Sequence, residues 1–247
     1  MDPVLHSRPR RFSNNNYGFG TGSRVVYDGH MAFRIKICGV KTPEDAMHVA
    51  DAGADAVGLN FYEKSKRYVD APTAKRIVEH LPRDVKRVGV FVNASSESIR
   101  RIVEIVELDV VQLHGDEPPE FLSTLDGLRI IRAFRCKDDL APIHSYLAAC
   151  DHQPIAVLVD AYDPQAYGGT GKTLYWPDLA NAKFAGDIPL ILAGGLTPRN
   201  VAAAIEQARP FGVDTASGVE ADSSVSKSRK LCLEFVKSAK SAFADVS

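Results

Sequence analysis

The stretch Lys36–Ala46, KICGVKTPEDA, closes the first β-rich run of the chain and opens the first helical one. Its reading decides between two α/β architectures. A doubly wound nucleotide-binding sheet carries three glycines after its first strand, for a tight turn, close approach to a pyrophosphate and helix packing. Here there is one, Gly39. Beyond it the chain makes an ordinary helix start: Thr42 as capping hydroxyl, Pro43 at the first helical position, and then Glu44 and Asp45.

Outward from this stretch, short β-rich runs alternate with amphipathic ones. The strands expected are FRIKIC, AVGLNF, KRVGVFV, VVQLH, LRIIRAF, IAVLVD, IPLILAG and FGVDTAS. Between them, Ala74, Ile77, Val78 and Leu81 share one helical face, as do Ile99, Ile102, Val103 and Val106. Ser95 caps the second of these helices, and a last helix carries Leu231, Phe235 and Val236. Eight strands, each followed by a helix, predict a single (β/α)8 barrel over residues 33–247.

The 247 residues, 45% hydrophobic and 25% charged, suffice for one such domain. A net charge of -1 gives no electrostatic case for nucleic acid or a membrane surface, so a small molecule is the expected partner. Cys38, Cys136, Cys150 and Cys232 are scattered, with no CxxC pair, against both a zinc site and a disulfide framework. That usage fits a reducing, cytoplasmic setting, and no apolar run approaches the roughly 18 residues of a membrane span. Residues 1–32 are polar, rich in Asn and Gly, and without period. They are expected to be a disordered extension, or a mis-assigned start with translation beginning at Met31.

In a barrel, chemistry sits at the C-terminal ends of the strands. Reading those ends gives Cys38, Asn60, His114, Asp160, the Gly194-Gly195 pair and Ser217-Gly218. Cys38 is a candidate base, with Lys36 one layer deeper on the same face to favour its thiolate; otherwise Lys36 pairs with an interior carboxylate. Asp160 emerges from the apolar IAVLV run, where a carboxyl can serve as general acid. Glycine turns after strands 7 and 8 suit a phosphate. Arg67, in FYEKSKRYV, can take a carboxylate bidentately, and His114 either contacts substrate or fastens strand 4.

YGGTGKT, Tyr167–Thr173, looks like a nucleotide-phosphate loop. It has Ala166 where that loop needs its first glycine, and Pro177 stands where a helix should run on. It is expected instead to be a mobile lid behind Asp160.

In order along the chain, KICGVKTPEDA, GLNFYEKSKRYV, VGVFVN, VVQLHGDE, YGGTGKT, AGGLTPRNV and SGVE resemble the phosphoribosylanthranilate isomerase family of tryptophan biosynthesis. The resemblance runs from Arg34 to the C-terminus. It implies a phosphoribosyl substrate, Cys38 as general base, Asp160 as general acid, Arg67 on the anthranilate carboxylate, and a phosphate between Gly194-Gly195 and Ser217-Gly218. It implies an Amadori rearrangement without metal or organic cofactor, in a monomer or homodimer. Tyr175 and Ala216 depart from the aspartate and serine of many relatives. Against the related ProFAR isomerases of histidine synthesis, which carry aspartate at the strand 1 position, Cys38 discriminates. A non-catalytic phosphosugar-binding barrel would be expected to have lost the acid or the base.

Overall fold

A computed structural model describes residues 33–136, 139–161, 176–180, 182, 184, 187–221 and 224–246. The extension 1–32, the YGGTGKT stretch and Tyr175 lie outside these.

Eight parallel strands close into a barrel in chain order. They are β1 (Ile35–Cys38), β2 (Ala56–Asn60), β3 (Lys86–Phe91), β4 (Val110–Leu113), β5 (Ile130–Cys136), β6 (Ala156–Ala161), β7 (Leu190–Ala193) and β8 (Gly212–Thr215). All eight expected runs are strands, trimmed or shifted by a few residues. Closure joins β1 to β8 in a register that sets Lys36 opposite Asp214, so no strand is left with an open edge.

Alternation along the strands divides the core in two. Inward positions such as Ala56, Val88, Val110, Ile131, Leu158 and Ile191 fill the barrel. Their outward neighbours, among them Ile35, Ile37, Val57, Val157, Val159 and Val213, pack beneath the helices. The helices are α1 (Pro43–Asp51), α2 (Ala71–Val78), α3 (Ser96–Val106), α4 (Ala141–Ala148), α5 (Trp176–Leu179), α6 (Val201–Ala208) and α7 (Arg229–Asp245). The expected faces are the buried ones: Ala74, Ile77 and Val78 in α2, and Ile99 and Val106 in α3. Thr42 Oγ1 accepts from Asp45 N at 3.0 Å and Ser95 Oγ from Ser98 N at 3.2 Å, the two caps read from the sequence.

One position corrects the expected pattern. After β4 there is no α-helix but a 3₁₀ helix, Pro119–Leu125. Pro118 and Pro119 open it, and Leu122 and Leu125, three apart, seat on the core together. Residues three apart eclipse in a 3₁₀ helix, so this spacing suits it.

Candidate active site

At the C-terminal end of the barrel lies a cavity of about 260 Å³ lined by Cys38, Asn60, Arg67, His114, Asp160, Gly194, Gly195, Asp214 and Ser217, among others. Eight of the nine residues expected at the site therefore surround one space. Gly218 is not among the lining. It lies against the β7 loop, where a Cβ would fall 1.9 Å from Leu196 O. Only glycine lets the loops after β7 and β8 approach this closely.

The floor is ionic. Lys36 is wholly buried, and its Nζ lies 2.8 Å from Asp214 Oδ2. Burial opposes the ammonium, yet Asp214 and Cys38 together outweigh it and hold Lys36 above its ordinary value. Asp214 Oδ1 has no hydrogen-bond partner among the described residues. The lysine thus takes the interior carboxylate foreseen as one of its two roles, while its charge still acts on the cysteine above it.

At Cys38 the lysine acts in the expected direction, against a larger effect of burial. Burial pushes the thiol up; Lys36, and more weakly Lys227, pull it back without cancelling that rise. A desolvated thiolate loses more than these cations return. The room for its sulfur comes from β2, since a Cβ on Gly58 would lie 2.6 Å from Sγ.

Asp160 ends the inward face of β6, with its side chain about a third exposed (34%). His114 Nε2 is 3.5 Å from its Oδ2. Gln112 Nε2 stands 3.2 Å from His114 Nδ1, while His114 Nε2, near Asp160, makes no hydrogen bond among the described residues. His114 is thus both strand-anchored and open to the cavity.

Arg67 is fixed by its loop. Asn60 Oδ1 accepts from Tyr62 N at 2.9 Å, and Asn60 Nδ2 donates to Ser65 Oγ at 3.2 Å. Ser65 Oγ in turn accepts from Arg67 N at 3.1 Å. The stem of Arg67 crosses Gly39, whose φ of 77° and lack of a Cβ leave it room. Its guanidinium meets Glu220 through Nε and, at 3.0 Å, through Nη2. Lys227, buried behind the β8 turn, donates to Glu220 Oε1 at 3.2 Å and to Ala216 O at 3.0 Å. Neither Glu220 nor Lys227 is expected from the sequence. Glu220 comes directly after SGV, but its partner Arg67 is 153 positions away.

The two glycine turns are built differently. Gly194 and Gly195 have φ of 92° and 63°, and Asn200 ties them down, accepting from Thr197 N at 2.7 Å and donating to Gly195 O at 3.1 Å. The β8 turn is a single 3₁₀ turn, Ser217–Val219, joined to its neighbour where Thr215 Oγ1 donates to Leu196 O at 2.6 Å. Among the described residues no group of three or more His, Cys, Asp or Glu is arranged to hold a metal ion.

A closed barrel with an acid, a thiol and paired glycine turns after β7 and β8 defines the class of phosphosugar-binding (β/α)8 enzymes. The family model described as N-(5'phosphoribosyl)anthranilate (PRA) isomerase matches residues 35–238. An N-(5'-phosphoribosyl)anthranilate isomerase from Geobacter sulfurreducens is 48% identical over 189 residues, 76% of this chain and 89% of its own. The crystal structure of phosphoribosyl anthranilate isomerase from Thermotoga maritima is 40% identical, with a TM-score of 0.74 over 85% of this chain and 99% of that one. A structure of such an isomerase with reduced 1-(o-carboxyphenylamino)-1-deoxyribulose 5-phosphate is 37% identical, with a TM-score of 0.73 over the same shares of the two chains. The chain belongs to the N-(5'-phosphoribosyl)anthranilate isomerase family.

Proposed function

We propose that Cys38 and Asp160 divide the acid–base work of this chain's reaction, the isomerisation of N-(5-phospho-β-ribosyl)anthranilate to 1-(2-carboxyphenylamino)-1-deoxyribulose 5-phosphate in tryptophan biosynthesis. The observation that carries this reading is that a thiol from β1 and a carboxyl from β6 open into one cavity, with Gly194-Gly195 and Ser217 from the turns after β7 and β8 on its rim.

Asp160 protonates the furanose ring oxygen, and the C1′–O bond breaks to leave a Schiff base. Cys38 takes the proton from C2′, and the electron pair moves into the C1′–C2′ bond to give an enolamine, which tautomerises to the ketone. Because β1 and β6 are not neighbours in the barrel, acid and base can address opposite sides of the sugar. The phosphate sits between Gly194-Gly195 and Ser217-Gly218, where backbone N–H groups receive it. Ala216 removes one hydroxyl from that rim and leaves those donors in place. Arg67 receives the anthranilate carboxylate, and His114 stands beside the acid and touches the sugar.

The catalytic unit is the barrel of residues 33–247, with residues 1–32 outside it. It works in the cytoplasm as a monomer or homodimer, without metal or organic cofactor; among the described residues no helix is long and apolar enough to cross a membrane.

The test is to generate the substrate in situ from anthranilate and phosphoribosyl pyrophosphate and follow the loss of its fluorescence on adding the protein. Cys38→Ala and Asp160→Asn should each lower kcat by roughly 10²–10⁴-fold with substrate affinity largely kept. Near-normal turnover in either variant removes that residue from its role.

A further inference from the structure

A guanidinium that receives a substrate carboxylate needs a free edge, yet two of the five N–H donors of Arg67 are already taken. Nε and Nη2 face the two oxygens of Glu220 in a fork, with the Nη2 contact at 3.0 Å. What remains is the second edge, between Nη1 and Nη2, which offers another parallel pair of donors. Arg67 lines the cavity, so that edge is the one available to a ligand there.

Glu220 is itself held hard. Its side chain is only 7% exposed and lies among Arg67, Lys227 at 3.2 Å and Lys66 at 3.9 Å. Burial would raise its pKa, but Arg67 and Lys227 hold it below the ordinary carboxylate value. Glu220 also stands one residue beyond the Ser217–Val219 turn. Lys227 ties the carboxylate back to that turn through Ala216 O. The carboxylate that orients the arginine is thus anchored to the loop assigned to the phosphate.

We propose that Glu220 is a positioning residue that sets substrate selectivity: by holding one edge of Arg67, it aims the other as a receptor for an aryl carboxylate at a fixed distance from the phosphate turn. This rests on the reading that Arg67 meets the substrate carboxylate. In Glu220→Gln the fork becomes a single neutral contact, and the guanidinium loses the charge that holds its edge in place. The C2′ chemistry, which Cys38 and Asp160 perform, is not touched.

The experiment compares two substrates, made by condensing ribose 5-phosphate with anthranilate or with aniline, which lacks the carboxylate. Wild type should prefer the carboxylate substrate in kcat/KM, and Arg67→Met should abolish that preference. Glu220→Gln should raise KM for the carboxylate substrate roughly 10- to 100-fold, with kcat changed far less and the aniline substrate little affected. Glu220→Asp, which keeps the charge, should recover part of the loss. If Glu220→Gln is unstable, Glu220→Gln/Lys227→Met removes the buried ammonium along with its counterion and is read in the same way. Glu220 variants that keep the wild-type preference while Arg67→Met loses it overturn the positioning role and leave the Arg67 reading intact. A preference that survives Arg67→Met overturns both.

Discussion

Lys36 Nζ lies 2.8 Å from Asp214 Oδ2 in the interior of the barrel, directly beneath the cysteine assigned as base. The two members of this pair act on that thiol with opposite signs: the ammonium lowers its pKa and the carboxylate raises it. Lys36→Met should therefore move the midpoint of iodoacetamide alkylation at Cys38 to higher pH, and Asp214→Asn should move it to lower pH. Breaking a buried pair costs about 3–5 kcal/mol, so far-UV circular dichroism must accompany both titrations. An unchanged midpoint, or shifts of the same sign, would remove the pair from control of the base.

A second expectation concerns β2. Gly58 has no room for a side chain, because its Cβ would lie 2.6 Å from Cys38 Sγ and 3.0 Å from Cys38 Cα. Gly58→Ala must push the sulfur off its line into the cavity. Turnover should fall by about 100-fold, as a displacement of 1 Å can cost, while overpacking destabilises the fold by about 1–3 kcal/mol. Measured kcat and melting temperature check this together. Wild-type turnover in the folded variant would mean that the thiol tolerates the shift.

The third concerns alkali. Burial pushes the thiol of Cys232, on α7, up to about 11. In the unfolded chain the same group titrates near 8.5, so the unfolded state loses its proton first. Stability from this site is complete below about pH 8.5 and is lost as pH rises toward 11, roughly 3 kcal/mol in all. In urea unfolding, the advantage of wild type over Cys232→Ala should shrink between pH 7.5 and pH 10.5. A constant gap would show that the thiol does not titrate differently in the two states.

The barrel is legible in the sequence because its signals are local and repeated. Each β-rich run is bounded by a turn, and Thr42 and Ser95 announce their helices within three residues. The segment after β4 departs from expectation because a run opening on Pro118-Pro119 does not show which helical hydrogen-bond pattern its leucines will take. The strand ends yield Cys38, Asp160 and His114, whose direction comes from alternation alone. Asp214, Glu220 and Lys227 are not legible, and the reason is distance along the chain. Asp214 acts through Lys36, 178 positions away, and Glu220 through Arg67, 153 positions away. Glu220 ends the SGVE motif, but nothing in that motif shows that its side chain meets Arg67. The outcome at Cys38 is out of reach for a related reason: Lys36 can be seen beneath it, but the depth of burial that outweighs the lysine depends on the closed barrel.

The pair between Lys36 and Asp214 also joins the first strand of the barrel to the last. A nascent chain emerging from the ribosome carries the thiol, the acid and His114 long before it carries Asp214. Until β8 arrives, Lys36 has an ammonium destined for the interior and no counterion to meet it there, a penalty of several kcal/mol against closing the ring early. The counterion of a residue in the first strand is thus supplied by the last, and the penalty for closing the ring falls away only when both ends of the sheet are present.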